Sequence, residues 1–208
     1  MRNVFHLKNI SHYNNISHYN NIKIMKTIFT VPEKAEVSAT NQQLFDQIKA
    51  AFGKVPNLYA TFAYSENALQ AYLQLQNNPR SLDAKETEVI NLVVSQVNNC
   101  IYCLSAHTMI AMHVGFSEKD TLEIRSGEIS FDKKLDALAK LVKSITAHRG
   151  QIDSALLDRF FEAGYNKENL VDAIILIGDK TITNLLHAVT KIPVDFPLAK
   201  ELVLSNVL

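Results

Sequence analysis

The sequence predicts an all-α, compact multi-helix fold, and three observations carry the prediction. Apolar residues recur at helical spacing from about residue 38 to 190. Most such runs open at a capping residue or a proline and stop at or before a glycine or proline. No convincing period-two hairpin pattern is present. The composition agrees: 208 residues, 47% hydrophobic and 20% charged, form an ordinary globular mix with enough chain for one sizeable core. Lys+Arg and Asp+Glu both number 21, which excludes a strongly basic nucleic-acid binder or a polyacidic tail as the default. No run approaches the roughly 20 apolar residues of a membrane span. Two cysteines are too few to staple a secreted scaffold. Neither nucleic acid nor membrane is therefore an expected partner, and a cytoplasmic location is expected.

The first 24 residues stand apart. Ile10-Ser11-His12-Tyr13-Asn14-Asn15 is repeated unchanged as Ile16-Ser17-His18-Tyr19-Asn20-Asn21, two units where a solenoid needs three. The segment carries Arg2, Lys8 and Lys23 and no acid, so the remainder has an acidic excess. It has no continuous apolar run like that of a secretory signal. A disordered Asn-rich extension over 1–24 is expected. Its His6, His12 and His18 leave weak metal binding open. Met25 is the candidate natural start, and 25–208 is expected to form a single helical domain.

From Met25 to Val37 the chain reads as an extended lead-in, because Pro32 restricts its neighbour. Ser38 and Thr40 are candidate caps for a helix whose stripe is Leu44, Ile48, Ala51 and Phe52, ended by Gly53. Pro56-Asn57 opens a short helix through Leu58, Phe62 and Ala63, and another fits 68 to 75, before Pro79. Asp83 with Glu86 has the capping-box form and opens a helix carrying Val89, Leu92, Val93 and Val97. The next helix runs from about Cys100 to Val114, with Gly115 as its stop. A short one follows from Ser117 to near Gly127. The stretch 132–147 is cleanly amphipathic through Leu135, Leu138, Ala139, Val142 and Ile145. Helices over 154–163 and from Lys167 to about Val189 complete the set. The Val/Ile-rich run 173–177 reads as buried helix by its length and flanks. Gly115-Phe116-Ser117-Glu118-Lys119 echoes Gly164-Tyr165-Asn166-Lys167-Glu168, either a duplicated helical unit or a generic helix–turn–helix join. Tyr59, Phe62, Tyr64 and Tyr72 add aromatic area in the N-terminal third, and an aromatic-rich interface between subunits is its expected destination.

The chemistry is concentrated between Glu88 and His107. Cys100-Ile101-Tyr102-Cys103 holds the only two cysteines, and His107 follows four residues later. At 3.6 residues per turn these three side chains fall within about 60° of one helix face. Asn98 and Asn99 precede the first cysteine, where an Asn can cap a helix. A thiol in the first turn sees the positive end of the helix dipole, which favours the reactive thiolate. The C-x-x-C spacing permits a disulfide across one turn, so one sulfur can attack and the other resolve. Glu88, among Val89, Ile90, Leu92 and Val93, is either a partly buried carboxyl with a raised pKa, able to act as a base, or a solvated first-turn acid like Glu86. Three readings of the cluster are open: a redox dithiol, a zinc site using Cys100, Cys103, His107 and His113, or two structural cysteines with a core histidine. Against zinc, His113 points about 120° from His107, and one helix cannot surround a tetrahedral ion.

The pattern Glu88-x11-Cys100-x2-Cys103-x3-His107, containing Cys-x-Tyr-Cys-x-x-Ala-His, resembles the alkylhydroperoxidase D-like branch of the carboxymuconolactone decarboxylase superfamily. Residues 53–59 (Gly-Lys-Val-Pro-Asn-Leu-Tyr) resemble its G-x-V-P-N stretch. Asn184-x-x-His187 followed by Pro193-Val194-Asp195 resembles its C-terminal N-x-x-H…P-x-D segment. The resemblance implies an all-helical homotrimer or homohexamer and a thiol-dependent peroxidase of antioxidant defence, without metal, flavin or haem. It implies Cys103 as peroxidatic thiolate, Cys100 as the more exposed resolving cysteine, and Glu88 with His107 as a proton relay. The implied partners are a peroxide and a dithiol or thioredoxin-like reductant. Tyr102 stands where well-studied members carry a histidine. On an ideal helix Tyr102 faces away from the cysteines, toward packing or an interface. His187 either approaches the site or is a hydrogen-bonded core histidine, Asn184 satisfies buried backbone groups or binds substrate, and His148 is read as a surface group at a helix end.

Overall fold

The structure, a computed structural model, describes residues 29–202. The repeat segment and the Met25 start lie outside the described residues. Among the described residues there are nine α-helices and no strand: α1 (Ala39–Phe52), α2 (Asn57–Phe62), α3 (Ala68–Asn77), α4 (Ala84–Val97), α5 (Ile101–His113), α6 (Glu118–Ser126), α7 (Lys133–His148), α8 (Ser154–Glu162) and α9 (Lys167–Thr190). No described helix is long and apolar enough to cross a membrane.

Helix α4 is the axis around which the rest is arranged. Its sequence is apolar on nearly every face after the first turn, and such a helix is stable only when surrounded. It packs against α5, α6, α7 and α9. Leu138, Leu141, Val142, Phe160 and Leu176 close over Val89, Ile90, Leu92 and Val93 to make the main core. The predicted capping box is present, with Asp83 accepting from the Glu86 N–H and Glu86 reaching back to the Asp83 N–H. Glu86 departs from the solvated role expected of it: it is buried, and its other oxygen lies 2.8 Å from Lys134 Nζ.

A smaller N-terminal cluster joins α1, α2 and α3. Ser38 caps α1, as expected, but the inward stripe is Asn41, Phe45 and Ile48, while Ala51 and Phe52 face outward. Asn41 sets this phase, because its amide donates to the Ala63 and Ser65 carbonyls where α2 ends. The aromatics of this third pack on one another, which corrects the expected interface. Phe62 stacks on Tyr72 with centroids 4.5 Å apart, Tyr59 meets Tyr72 edge-on at 5.9 Å, and only Tyr64 of the four is exposed. The echoed joins are built alike. Gly115 and Gly164 take φ of 101° and 96°, values that favour glycine, so the chain can turn sharply. Phe116 and Tyr165 then enter the core, and Ser117 and Asn166 each close a capping box on the next helix. The run 173–177 is helical as predicted but not wholly buried: Ala173, Leu176 and Ile177 point inward, Ile174 and Ile175 outward.

Candidate active site

Three residues between α4 and α5 set the geometry of the site. Asn98 ends α4, Asn99 turns the chain at φ 51°, and Cys100 caps α5. The expected asparagine cap is thus replaced by the thiol itself: Cys100 Sγ accepts from the Cys103 N–H at 3.4 Å. The two helices fold back on each other across this turn, and Glu88 meets His107. His107 Nδ1 lies 2.8 Å from Glu88 Oε2, and Asn91 donates to Glu88 Oε1 at 2.8 Å. Glu88 is 5% exposed, so it is no solvated acid. Burial pushes its pKa up, but His107 by charge and hydrogen bond, then Asn91 and Lys180, together hold it below the usual carboxylate value. The raised pKa expected for Glu88 is therefore corrected, because the sequence showed its apolar neighbours but not the positive groups across the helix pair.

The two sulfurs are free thiols 3.0 Å apart, with Cys100 donating to Cys103. That hydrogen bond lowers the Cys103 pKa and raises that of Cys100. For Cys103, burial opposes the shift, and the positive charges of Lys180 and His107 add to it, leaving the thiol well below its ordinary value. The expectation that Cys100 is the more exposed cysteine does not hold: Cys100 is 1% and Cys103 2% exposed. Leu58, Tyr102 and Ile192 pack around the pair. Cys103 is the sulfur that lines a cavity of about 350 Å³, together with Glu88 and His107. Phe52, Leu58, Ile110 and Phe196 supply apolar wall; Arg80, Asn91, Asp179 and Lys180 supply a polar one.

Tyr102 organises the site from the other side. It is buried between His187 (centroids 5.4 Å) and Phe196 (5.5 Å). Its hydroxyl donates to Asp195 at 2.6 Å and accepts from the Leu58 N–H at 3.1 Å. Asp195 also accepts from the Asn57 N–H at 3.3 Å and pairs with Lys54 at 3.0 Å. The segments 53–59 and 193–195, distant in sequence, are thus tied together at this one tyrosine. Burial pushes the His187 pKa down, partly offset by Cys103. Asn184 accepts from the Asn98 amide at 2.9 Å and donates to Ser95 Oγ at 3.3 Å, so it satisfies side chains of the α4 end and not the backbone groups expected. His148 is exposed at the end of α7. Among the described residues no group of three or more His, Cys, Asp or Glu is placed to hold a metal ion, and His113 is exposed at the far end of α5.

Sequence reasoning missed the contribution of α9. Lys180 is 3% exposed and lines the cavity, and Asp179 beside it lies 3.6 Å from Arg80. The available signal was a pair of adjacent charges, Asp179-Lys180, inside an otherwise apolar helical run; such charges are seldom buried without a task.

Comparison with known proteins agrees with this architecture. Residues 62–139 match the sequence model of the Carboxymuconolactone decarboxylase family, a segment that includes Glu88, Cys100, Cys103 and His107 but not α9. No curated protein matches the chain. Among solved structures, an uncharacterized peroxidase-related protein from Silicibacter sp. TM1040 is 21% identical, with a TM-score of 0.68 over 78% of this chain and 86% of that one. The alkylhydroperoxidase AhpD core of an uncharacterized peroxidase-related protein from Ralstonia eutropha JMP134 is 18% identical, with a TM-score of 0.70 over 77% and 88%. The debrominase Bmp8, in complex with 2,3,4-tribromopyrrole, is 14% identical, with a TM-score of 0.68 over 82% and 93%. Residues 62–139 are thus similar to the Carboxymuconolactone decarboxylase family, and the chain shares the all-α fold of these alkylhydroperoxidase-like structures.

Proposed function

We propose that the protein is a thiol-dependent reductase of organic hydroperoxides, acting in antioxidant defence. The observation that carries this reading is the polarised sulfur pair: Cys100 donates to Cys103, and Cys103 alone of the two lines the cavity beside the Glu88–His107 pair. The Cys103 thiolate attacks the terminal peroxide oxygen. The O–O bond breaks, Cys103 becomes a sulfenic acid, and the departing alkoxide takes a proton from His107 to leave as alcohol. Glu88 holds His107 by Nδ1 and so orients the ring for the transfer. Cys100 then attacks the Cys103 sulfur. The S–S bond forms, the S–O bond breaks, and the Cys100 proton leaves with the hydroxide as water. An external dithiol or thioredoxin-like partner supplies two electrons and two protons by exchange, restoring both cysteines.

The cavity bears on substrate class. About 350 Å³ is more than hydrogen peroxide needs and matches small organic ligands. Its apolar wall fits the body of an alkyl or aryl hydroperoxide. The same wall favours a second reading, reductive dehalogenation of a halogenated ring, in which the thiolate takes the halogen, the ring carbon takes a proton, and Cys100 displaces halide. A general protein disulfide oxidoreductase fits less well, because Cys103 opens into a ligand-sized cavity beside the Glu88–His107 pair. The test is consumption of cumene hydroperoxide with dithiothreitol. Wild type should turn over, Cys103→Ser should lose all activity, and Cys100→Ser given one equivalent of peroxide without dithiothreitol should hold a dimedone-reactive sulfenic acid on Cys103. Activity retained in Cys103→Ser overturns the assignment. Bromide release from a bromopyrrole without peroxide turnover selects the second reading.

A further inference from the structure

Helix α9 carries an ammonium into the site. Lys180 is 3% exposed and, like Cys103 and His107, lines the cavity. A buried lysine is ordinarily held by a carboxylate or a carbonyl. Among the described residues no oxygen accepts from Lys180 Nζ. Asp179, its neighbour in sequence, is turned to Arg80 at 3.6 Å, and Glu88 accepts from His107 and Asn91. No hydrogen bond joins the ammonium to the Cys103 sulfur either, although Lys180 stands ahead of His107 among the charges that favour the thiolate. The charge reaches the sulfur while its donors stay available to a ligand in the cavity.

Several other donors of the wall are already committed. Tyr59, Tyr102 and Thr183 each carry one hydroxyl proton, and these go to Gln76 at 2.5 Å, to Asp195 at 2.6 Å and to the Lys180 carbonyl at 2.8 Å. The Asn91 amide donates to Glu88. His107 uses Nδ1 on Glu88, which leaves its Nε2 for the substrate.

Where a fixed cation acts best follows from the flow of charge. As the Cys103 sulfur attacks, the S–O bond forms, the O–O bond breaks, and the electron pair ends on the departing oxygen. A cation held on the sulfur stabilises the thiolate but weakens it as a nucleophile. A cation beside the departing oxygen binds more strongly as the charge arrives, and so lowers the barrier. We propose that Lys180 is a further catalytic residue of hydroperoxide reduction, its ammonium donating a hydrogen bond to the departing peroxide oxygen while the Cys103 thiolate attacks the terminal one. Lys180 keeps its proton; the alkoxide takes one from His107 and leaves as alcohol. The inference rests on the peroxidase reading. It makes the ammonium a contact of the peroxide group itself, so uncharged hydroperoxides benefit from it in full.

The test is the dependence of rate on the leaving alcohol. Ethyl, monofluoroethyl and trifluoroethyl hydroperoxides are close in size and release increasingly acidic alcohols. The value of kcat/KM for the peroxide, with dithiothreitol as reductant, is divided by the Cys103 thiolate fraction read with iodoacetamide at the same pH, so that an effect on ionisation of the sulfur cancels. Lys180→Met should lose about 10²–10³-fold in this corrected value. The loss should be largest for the ethyl compound and smallest for the trifluoroethyl one, whose alkoxide needs the least stabilisation. Lys180→Arg keeps the charge and should recover part of the loss. Lys180→Gln, with a donor but no charge, replaces the methionine variant should that one fail to fold. With wild type turning over, a corrected value within about two-fold of wild type, or an equal loss across the series, overturns the inference alone. Cumene hydroperoxide and its para-carboxylate are measured beside the series; a loss confined to the carboxylate overturns the inference too and makes Lys180 an anchor for a substrate acid. A wild type that consumes no hydroperoxide overturns the peroxidase reading and this inference with it.

Discussion

Replacing Glu88 by glutamine perturbs the site with the least change of shape. In the native protein the carboxylate accepts from His107 Nδ1 and from Asn91 Nδ2, both at 2.8 Å, in a position 5% exposed. Glutamine keeps one acceptor oxygen and turns the other into a donor, so one of the two native donors loses its partner. A buried donor left unsatisfied costs about 1–3 kcal/mol. At about 2–4 °C per kcal/mol for a chain of this size, the melting temperature should fall by roughly 2–12 °C. The effect on rate should be larger, because the amide replaces the carboxylate that orients His107; losing a positioned acid–base pair removes a factor of about 10²–10⁴. The assay is kcat/KM for cumene hydroperoxide with dithiothreitol, beside thermal unfolding from pH 3 to pH 8. The native Glu88 pKa is depressed, so its ionisation adds stability at neutral pH that is lost as the pH falls through the folded value. Glu88→Gln should lack that part of the acid-side loss. A variant with kcat/KM within about two-fold of wild type would refute the relay.

Three further outcomes follow from the same geometry. Alkylation of Cys103 by iodoacetamide should show a midpoint well below the free-thiol value of about 8.5, since Cys100, Lys180 and His107 all favour the thiolate. Lys180→Met should move that midpoint upward by about 1–2 pH units, and an unmoved midpoint would show that the buried ammonium does not act on the sulfur. Tyr102→Phe removes the hydroxyl that joins Asp195 to the Leu58 N–H, which should lower stability by about 1–3 kcal/mol. Thermal unfolding measures this, and a melting temperature equal to wild type would mean that the knot between 53–59 and 193–195 holds without the tyrosine.

The helices were legible from the chain because their signals are local. Spacing, the Asp83–Glu86 capping box and the stops at Gly53 and Gly127 depend on residues within a turn or two of each other, and the structure places the helices at those positions. The candidate thiols were legible for the same reason, since Cys100, Cys103 and His107 share one face of one helix. What the sequence determined by itself is therefore the set of helices and the grouping of the two thiols with His107 on one helix face.

Everything that depends on which surfaces meet was decided by tertiary structure. Glu88 is nineteen positions from His107, and only the fold-back at Asn99 makes them partners and reverses the expected direction of the carboxyl's pKa. The relative exposure of the two cysteines follows from Leu58 and Ile192 packing over the pair, contacts from α2 and from the chain beyond α9. The hydrophobic pattern of α9 reads as a buried helix because pattern alone reports that a face is apolar, not which way it points. Buried charges on one side, demanded by the site, turned that face outward. Burial is a property of the assembled surfaces, and a one-dimensional sequence carries it only where the two faces of an element differ in the ordinary sense.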